Sequence, residues 1–324
     1  MSLIERAAGR ITQRKAADPP TQTSFERAAD GTPRSEPPGV AGRANASDRT
    51  AQRLSDAAPE NAVRPPRADD RIALGGTPPR ASVTGTINLA RLKQGGMITP
   101  DGERTQLAEE FRQIKRPLIM NAFGQGSAPI KNGNLIMVTS SMPGEGKSFC
   151  AINLAMSIAM ERDHTVLLVD ADVAKPSLPH YLGLKSDLGM LDLLLDDKLQ
   201  LSDVLIKTNV EKFTVLPAGR GHRYATELLA STALVRLLDE MAHRYADRII
   251  IFDSPPLLAT SESRVLAARM GQIVMVVEAD RTSSEAVKEA LKLIESCEVV
   301  GMLLNKSNFR PGQDYYGSYS AYGS

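Results

Sequence analysis

From residue 87 onward, apolar runs of strand length alternate with longer stretches of helical spacing. The run 135–138 is apolar and leads through a glycine-containing loop into a helix-compatible stretch, 149–160. The run 165–170, Thr-Val-Leu-Leu-Val-Asp, is nearly all apolar, as a parallel strand buried on both faces should be. Further strands are expected at 212–216, 248–253, 272–277 and 299–304, and helices at 226–245, 260–270 and 283–296. In the helix at 226–245, Leu228, Leu229, Leu234, Leu237 and Leu238 form the apolar side. This alternation predicts an α/β fold, a parallel β-sheet with helices on both faces and ligands at the strand C-termini.

Ahead of that region the pattern is weaker. Ile4, Ala7, Ala8 and Ile11 share one helical face in a short amphipathic segment, 1–11, which reads as a frayed end or as a docking segment for a partner. Ten of the twenty prolines lie in the first 80 residues, and Phe25 is the only aromatic before residue 87. With so little to bury, 12–86 is expected to be a disordered proline-rich linker. Ile87 to Leu92 is a short apolar patch fit to pack on the domain's edge, and 104–115 reads as a helix stopped by Pro117. Glu109, Arg112 and Lys115 recur there at intervals of three and are read as a charged stripe along one side. The expected division is therefore 1–11, 12–86, a catalytic domain at 87–308, and a tail at 309–324.

Charge and cysteines narrow the setting. A net charge of +1 supplies no drive toward nucleic acid or an anionic surface. Cys150 and Cys297 form neither a C-x-x-C pair nor a disulfide framework, which suits a reducing cytoplasm. No apolar run approaches the roughly 18 residues a membrane span needs. The start, Met1-Ser2-Leu3-Ile4-Glu5-Arg6, lacks a signal peptide's apolar region. A cytoplasmic location, with recruitment to the membrane by a partner, is expected.

The candidate chemistry lies in the loop Ser141-Met142-Pro143-Gly144-Glu145-Gly146-Lys147-Ser148. Between a strand and a helix, it has the context of a phosphate-binding loop, whose backbone N–H groups and helix start face phosphate oxygens. Lys147 would pair with the β- and γ-phosphates and Ser148 would ligate Mg²⁺. Ser141 stands where the strict pattern has its first glycine. Asp253, ending an apolar strand, is the natural carboxylate of the metal site. Asp170 and Asp172, one residue apart past another strand, would divide the metal and the incoming nucleophile between them. Four of the seven tyrosines fall in the last ten residues: Tyr315, Tyr316, Tyr319 and Tyr322. They have glycine and serine rather than aliphatic neighbours, so they read as substrates in a flexible tail and not as packing.

In combination these residues resemble the bacterial tyrosine kinases, which autophosphorylate a C-terminal tyrosine cluster. Within that family the similarity is greatest to the autokinases encoded with exosortase-associated exopolysaccharide loci. The resemblance runs from residue 87 to the end, with the start Met1 to Glu5. It is carried by the loop at 141–148, Val169-Asp170-Ala171-Asp172-Val173-Ala174-Lys175-Pro176, Phe252-Asp253-Ser254-Pro255-Pro256, Leu216-Pro217-Ala218-Gly219 and the tyrosine tail. It implies a P-loop NTPase fold, with a Walker A loop at 141–148, a second aspartate motif at 170–172 and a Walker B strand at 249–253. ATP and Mg²⁺ would be held by Pro143, Gly144, Glu145, Gly146, Lys147, Ser148 and Phe149. Ser148, Asp172 and Asp253 would sit at the metal, Asp170 near the acceptor hydroxyl, and Asn305 at adenine. Glu109, Arg112 and Lys115 match a motif that joins subunits into a ring, with lysine replacing a final arginine and losing its planar fork. Ala174 stands where many members have arginine. The implied function is regulation of exopolysaccharide chain length, polymerisation and export. The implied partners are a separate membrane chain-length determinant whose cytosolic tail activates the kinase, other copies of the chain, and a phosphotyrosine phosphatase.

Two rival readings share the loop. Partitioning or division-site ATPases of the same fold carry an extra lysine at the position of Met142, and they lack a reason for the tyrosine tail. A non-enzymatic nucleotide-sensing scaffold for polysaccharide assembly would leave tail phosphorylation incidental.

Overall fold

A computed structural model describes residues 83–103, 105–124, 130–244 and 247–307. The segment 1–11, most of the expected linker and all four tail tyrosines lie outside the described residues. Eight strands form one sheet: β1 (Val83–Gly85), β2 (Leu135–Ser140), β3 (Thr165–Asp170), β4 (Ile206–Thr208), β5 (Phe213–Leu216), β6 (Arg248–Asp253), β7 (Gln272–Glu278) and β8 (Val299–Asn305). Their order is β1-β4-β5-β3-β6-β2-β7-β8, parallel except for the β4–β5 pair. On one face lie α1 (Leu89–Gln94), α2 (Gln106–Ala122), α3 (Lys147–Ala159) and α4 (Leu178–Leu182). The other face carries α5 (Met190–Leu195), α6 (Leu201–Val204), α7 (Ala225–Leu229), α8 (Thr232–Arg244), α9 (Glu262–Ala267) and α10 (Ser284–Lys292).

The period of two along each strand divides its side chains between two cores. Ile136, Val138, Leu168, Ile249 and Ile251 point to the α3 face, while Leu135, Met137, Leu167, Ile250 and Phe252 point to the other. The central strands are buried on both faces, which is why they read as unbroken apolar runs.

Four expectations are corrected. The sheet begins at Val83, before the expected domain start at 87, because β1 pairs in parallel with β4. Pro117 does not stop the second helix, which runs on to Ala122. The proline is exposed, so water can meet the carbonyl that loses its partner. The helix expected at 226–245 is two, α7 and α8, separated at Ala230 and Ser231, where the Ser231 hydroxyl accepts from Leu234 N at 3.3 Å.

The fourth correction concerns Lys115, which does not share a solvated stripe with Glu109 and Arg112. Six residues at about 100° each place it roughly 120° around the helix from Glu109. Glu109 and Arg112 form an exposed ion pair at 2.7 Å. Lys115 is 4% exposed and turns inward. It donates to Ser157 O at 2.5 Å and pairs with Glu161 at 2.6 Å, placing a cation at the negative end of α3.

Candidate active site

The topology brings three strand ends together. β6 lies between β3 and β2, with Asp253 in register with both Asp170 and Val138. Parity then fixes direction: Asp170 and Asp253 continue the series that faces α3, so both carboxylates lie beneath the start of the helix that carries Lys147 and Ser148. The loop crosses over them in two left-handed turns, Gly144 at φ 88° and Gly146 at φ 94°. A Cβ on Gly146 would stand 2.1 Å from Asn305 Nδ2 at a φ that L side chains rarely adopt, so another residue there would be strained and would displace the Asn305 amide. Ser141 is not among the residues of positive φ, and the loop therefore needs no glycine at that position.

The loop is braced from the neighbouring edge. Glu145, expected among the nucleotide residues, is 2% exposed and turns its carboxylate inward. Its Oε2 accepts from Met142 N at 2.7 Å and its Oε1 from the Thr282 hydroxyl. Asn305 Nδ2 donates to Glu145 O at 2.8 Å, and Lys306 Nζ to Gly144 O at 2.7 Å. Thr282 and Lys306 carried no signal in the sequence, since their role depends on β7 lying beside β2 and β8 beside β7. Pro143 and Gly144 are exposed at the loop's crest, and Phe149 packs half-buried against the α3-face core.

Below the loop the charges are arranged asymmetrically. Lys147 Nζ pairs with Asp172 Oδ2 at 2.9 Å, while Asp172 Oδ1 accepts from Lys175 N at 3.1 Å. Asp172, expected at the metal, thus holds the loop lysine. Asp170 Oδ2 accepts from the Ser177 and Leu178 amides at 3.0 Å each, and the Ser148 hydroxyl lies 3.3 Å from that of Ser177. Burial pushes the Asp170 carboxyl up to about 6, against the pull of those two amides. Burial pushes Asp253 up to about 7, opposed by Lys147 and Ser148 nearby.

Asp170 Oδ1 and both oxygens of Asp253 are buried without a hydrogen-bond partner. Orphaned carboxylate oxygens of this kind are costly unless a cation or donor meets them. No group of three or more His, Cys, Asp or Glu among the described residues makes a metal cage by itself. An all-oxygen set of one hydroxyl and one or two carboxylates, completed by phosphates, suits Mg²⁺. The residues therefore fit the ion that the sequence implied. No helix among the described residues is long and apolar enough to cross a membrane.

Comparison with known proteins agrees with this geometry. The AAA domain family matches residues 133–306, just over half of the chain. The tyrosine-protein kinase YwqD of Bacillus subtilis (strain 168) is 30% identical over 229 residues, covering 69% of this chain and 92% of YwqD. EpsB of Ralstonia nicotianae is 34% identical over 192 residues, 59% of this chain but 25% of EpsB. The succinoglycan biosynthesis transport protein ExoP of Rhizobium meliloti (strain 1021) is 30% identical over 233 residues, 70% of this chain and 28% of ExoP. The chain thus spans about a quarter of these two longer relatives and nearly all of YwqD. Among solved structures, the chimerical protein CapA2B2 is 27% identical, with a TM-score of 0.56 over 69% of this chain and 94% of that one. With this site on this fold, the chain belongs to the family of bacterial tyrosine-protein kinases.

Proposed function

We propose that the chain is an ATP-dependent protein-tyrosine autokinase that phosphorylates Tyr315, Tyr316, Tyr319 and Tyr322 and regulates exopolysaccharide chain length and export. The observation that carries the catalytic reading is the set of three orphaned carboxylate oxygens under a braced phosphate loop. Bound Mg²⁺–ATP supplies the γ-phosphoryl group together with a cation that offsets its charge. Lys147 leaves Asp172 to pair with the phosphates, and Ser148 with Asp253 holds the metal. Glu145, Asn305 and Lys306 keep the loop's N–H groups aimed at phosphate. Asn305 spends its amide nitrogen on the loop, which leaves its carbonyl oxygen as the acceptor for an adenine amino group. A tail tyrosine Oη forms a bond to the γ-phosphorus as the bond to the β–γ bridging oxygen breaks. The hydroxyl proton passes to Asp170, which unlike Asp172 has an unpartnered oxygen.

The polysaccharide reading is supported by the relationship to ExoP, and it brings with it a membrane-embedded chain-length determinant as activating partner and a phosphotyrosine phosphatase as antagonist. The test of the kinase reading mixes an active chain lacking 315–324 with a Lys147→Met chain that keeps its tail. Phosphotyrosine is expected on the inactive chain when ATP and Mg²⁺ are added, which marks transfer between molecules. A full-length active chain that acquires no phosphotyrosine under the same conditions overturns the reading.

Self-association into a ring is assigned to Glu109 and Arg112, the exposed half of the motif, with Lys115 as an internal tie. Glu109→Ala with Arg112→Ala should reduce the mass seen by light scattering and leave the melting temperature unchanged. Lys115→Ala should instead lower the melting temperature by several degrees, because Ser157 O loses its partner at a cost of about 1–3 kcal/mol. Lys115→Ala that melts like the wild type would remove the internal tie.

A further inference from the structure

The surface beyond β5 carries a second charged site that the kinase reading does not use. Asp192, in the first turn of α5, is 2% exposed, and all its hydrogen bonds converge on one loop and its own helix start. Its Oδ2 accepts from Gly189 N at 3.0 Å and Arg220 N at 3.1 Å, and its Oδ1 from Arg220 Nε at 2.7 Å. The two segments are pressed together: Met190 N donates to Pro217 O at 2.8 Å and Leu191 N to Ala218 O at 2.9 Å. A Cβ on Gly189 would meet Pro217 O at 2.2 Å, and one on Gly219, at φ 89°, would meet Asp192 Oδ2 at 2.4 Å. The fit is close enough that only glycines allow it.

What this construction holds in place is an exposed guanidinium. The Arg220 side chain is 72% exposed, so the ion pair itself contributes little to stability. With Nε fixed by a buried acid, its terminal nitrogens are oriented toward solvent as a pre-formed fork. Three residues on, Arg223 stacks over the exposed Tyr224 ring at 4.6 Å, with His222 beside that ring. No acidic residue occurs between Gly219 and Thr226. The loop leaves the C-terminal end of β5, the strand next to β3, and so lies on the same rim of the sheet as Asp172.

We propose that Arg220, aimed by Asp192, and Arg223 dock a phosphorylated tyrosine from the C-terminal tail of a second copy of this chain. The inference rests on the proposed autokinase activity, which would produce that ligand. A phosphotyrosine offers three acceptor oxygens and a charge of about −1.5 to −2, matched to bidentate arginine forks. The Tyr224 ring offers its phenyl group a face. Residues 308–324 contain one acid, Asp314, and one base, Arg310, so the side chains of the unmodified tail carry no net charge with which to engage the loop. Phosphorylation alone creates the attraction. A neighbouring copy is favoured because β5 and β8 are five strands apart, about 24 Å across the sheet. The chain's own tail would spend nearly all of its first eight residues on that distance.

The test titrates the full-length chain into fluorescent peptides of sequence 308–324, with all four tyrosines either phosphorylated or unmodified. Saturating ADP and Mg²⁺ occupy the phosphate loop throughout. The phosphorylated peptide is expected to bind at least about tenfold more tightly than the unmodified one, and Arg220→Gln to weaken it by about tenfold or more. The same substitution should leave the initial rate of autophosphorylation unchanged. Equal binding of the two peptides overturns the inference, as does undiminished binding of the phosphorylated peptide to Arg220→Gln. Because the peptides are synthetic, a chain that binds them yet never labels itself refutes the kinase reading alone.

Discussion

Lys147→Met is expected to slow autophosphorylation by a factor of about 10² to 10³, the effect of removing one positioned charge from a phosphoryl-transfer site, about 3–4 kcal/mol. The fold should survive. The loop's shape is set by Glu145 on Met142 N, by Asn305 on Glu145 O and by Lys306 on Gly144 O, none of which involves the Lys147 side chain. Asp172, the partner that Lys147 abandons, keeps its bond from Lys175 N. Methionine also matches the length of the lysine stem, so no cavity opens. The initial rate of phosphotyrosine formation, read beside circular dichroism melts, checks both halves. A folded variant that works within twofold of the wild type would remove Lys147 from the reaction.

The parts of this site legible in the sequence are those whose signal is local. The loop at 141–148 and the aspartates that end β3 and β6 stand out because a strand buried on both faces must be apolar until it ends. Their convergence also follows, since neighbouring parallel strands present their C-terminal ends on one rim. What the sequence hid depends on strand order and on helix rotation. Asn305 and Thr282 brace the phosphate loop only because β7 lies beside β2 and β8 beside β7. β1, three residues long, and the antiparallel β4 are too short to show a period. The spacing of Glu109, Arg112 and Lys115 describes a stripe until the turn of the helix is counted, after which the lysine faces α3. Asp192 and Arg220 lie 28 residues apart, and nothing in the sequence pairs them.

The largest effect on stability is expected at Asp253. Asp253→Asn should make the nucleotide-free protein more stable at pH 8 and at the same time abolish phosphotyrosine formation. The wild-type carboxyl is raised by burial to about 7 in the folded protein. An unfolded aspartate releases its proton near pH 4. Between those two values the folded chain holds a proton that the unfolded chain has lost, so stability falls as pH rises through the window and the full penalty applies above it. Asp170, raised to about 6 on the adjacent strand, adds to the same slope, and the two titrate as a pair. Replacing one buried charge by a neutral amide of the same shape removes that penalty, on the order of 2–4 kcal/mol, which is several degrees in melting temperature for a domain of this size. The gain should shrink to nothing by pH 4, where the wild-type carboxyl is already protonated. Mg²⁺ with ADP should raise the melting temperature of the wild type and do much less for the variant, because the oxygens that would meet the ion are those left without partners. Melting curves at pH 4 and pH 8, with and without Mg²⁺–ADP, separate the two effects. An Asp253→Asn chain that melts below the wild type at pH 8 would show that the charge is already compensated inside the protein, and the metal assignment would go with it.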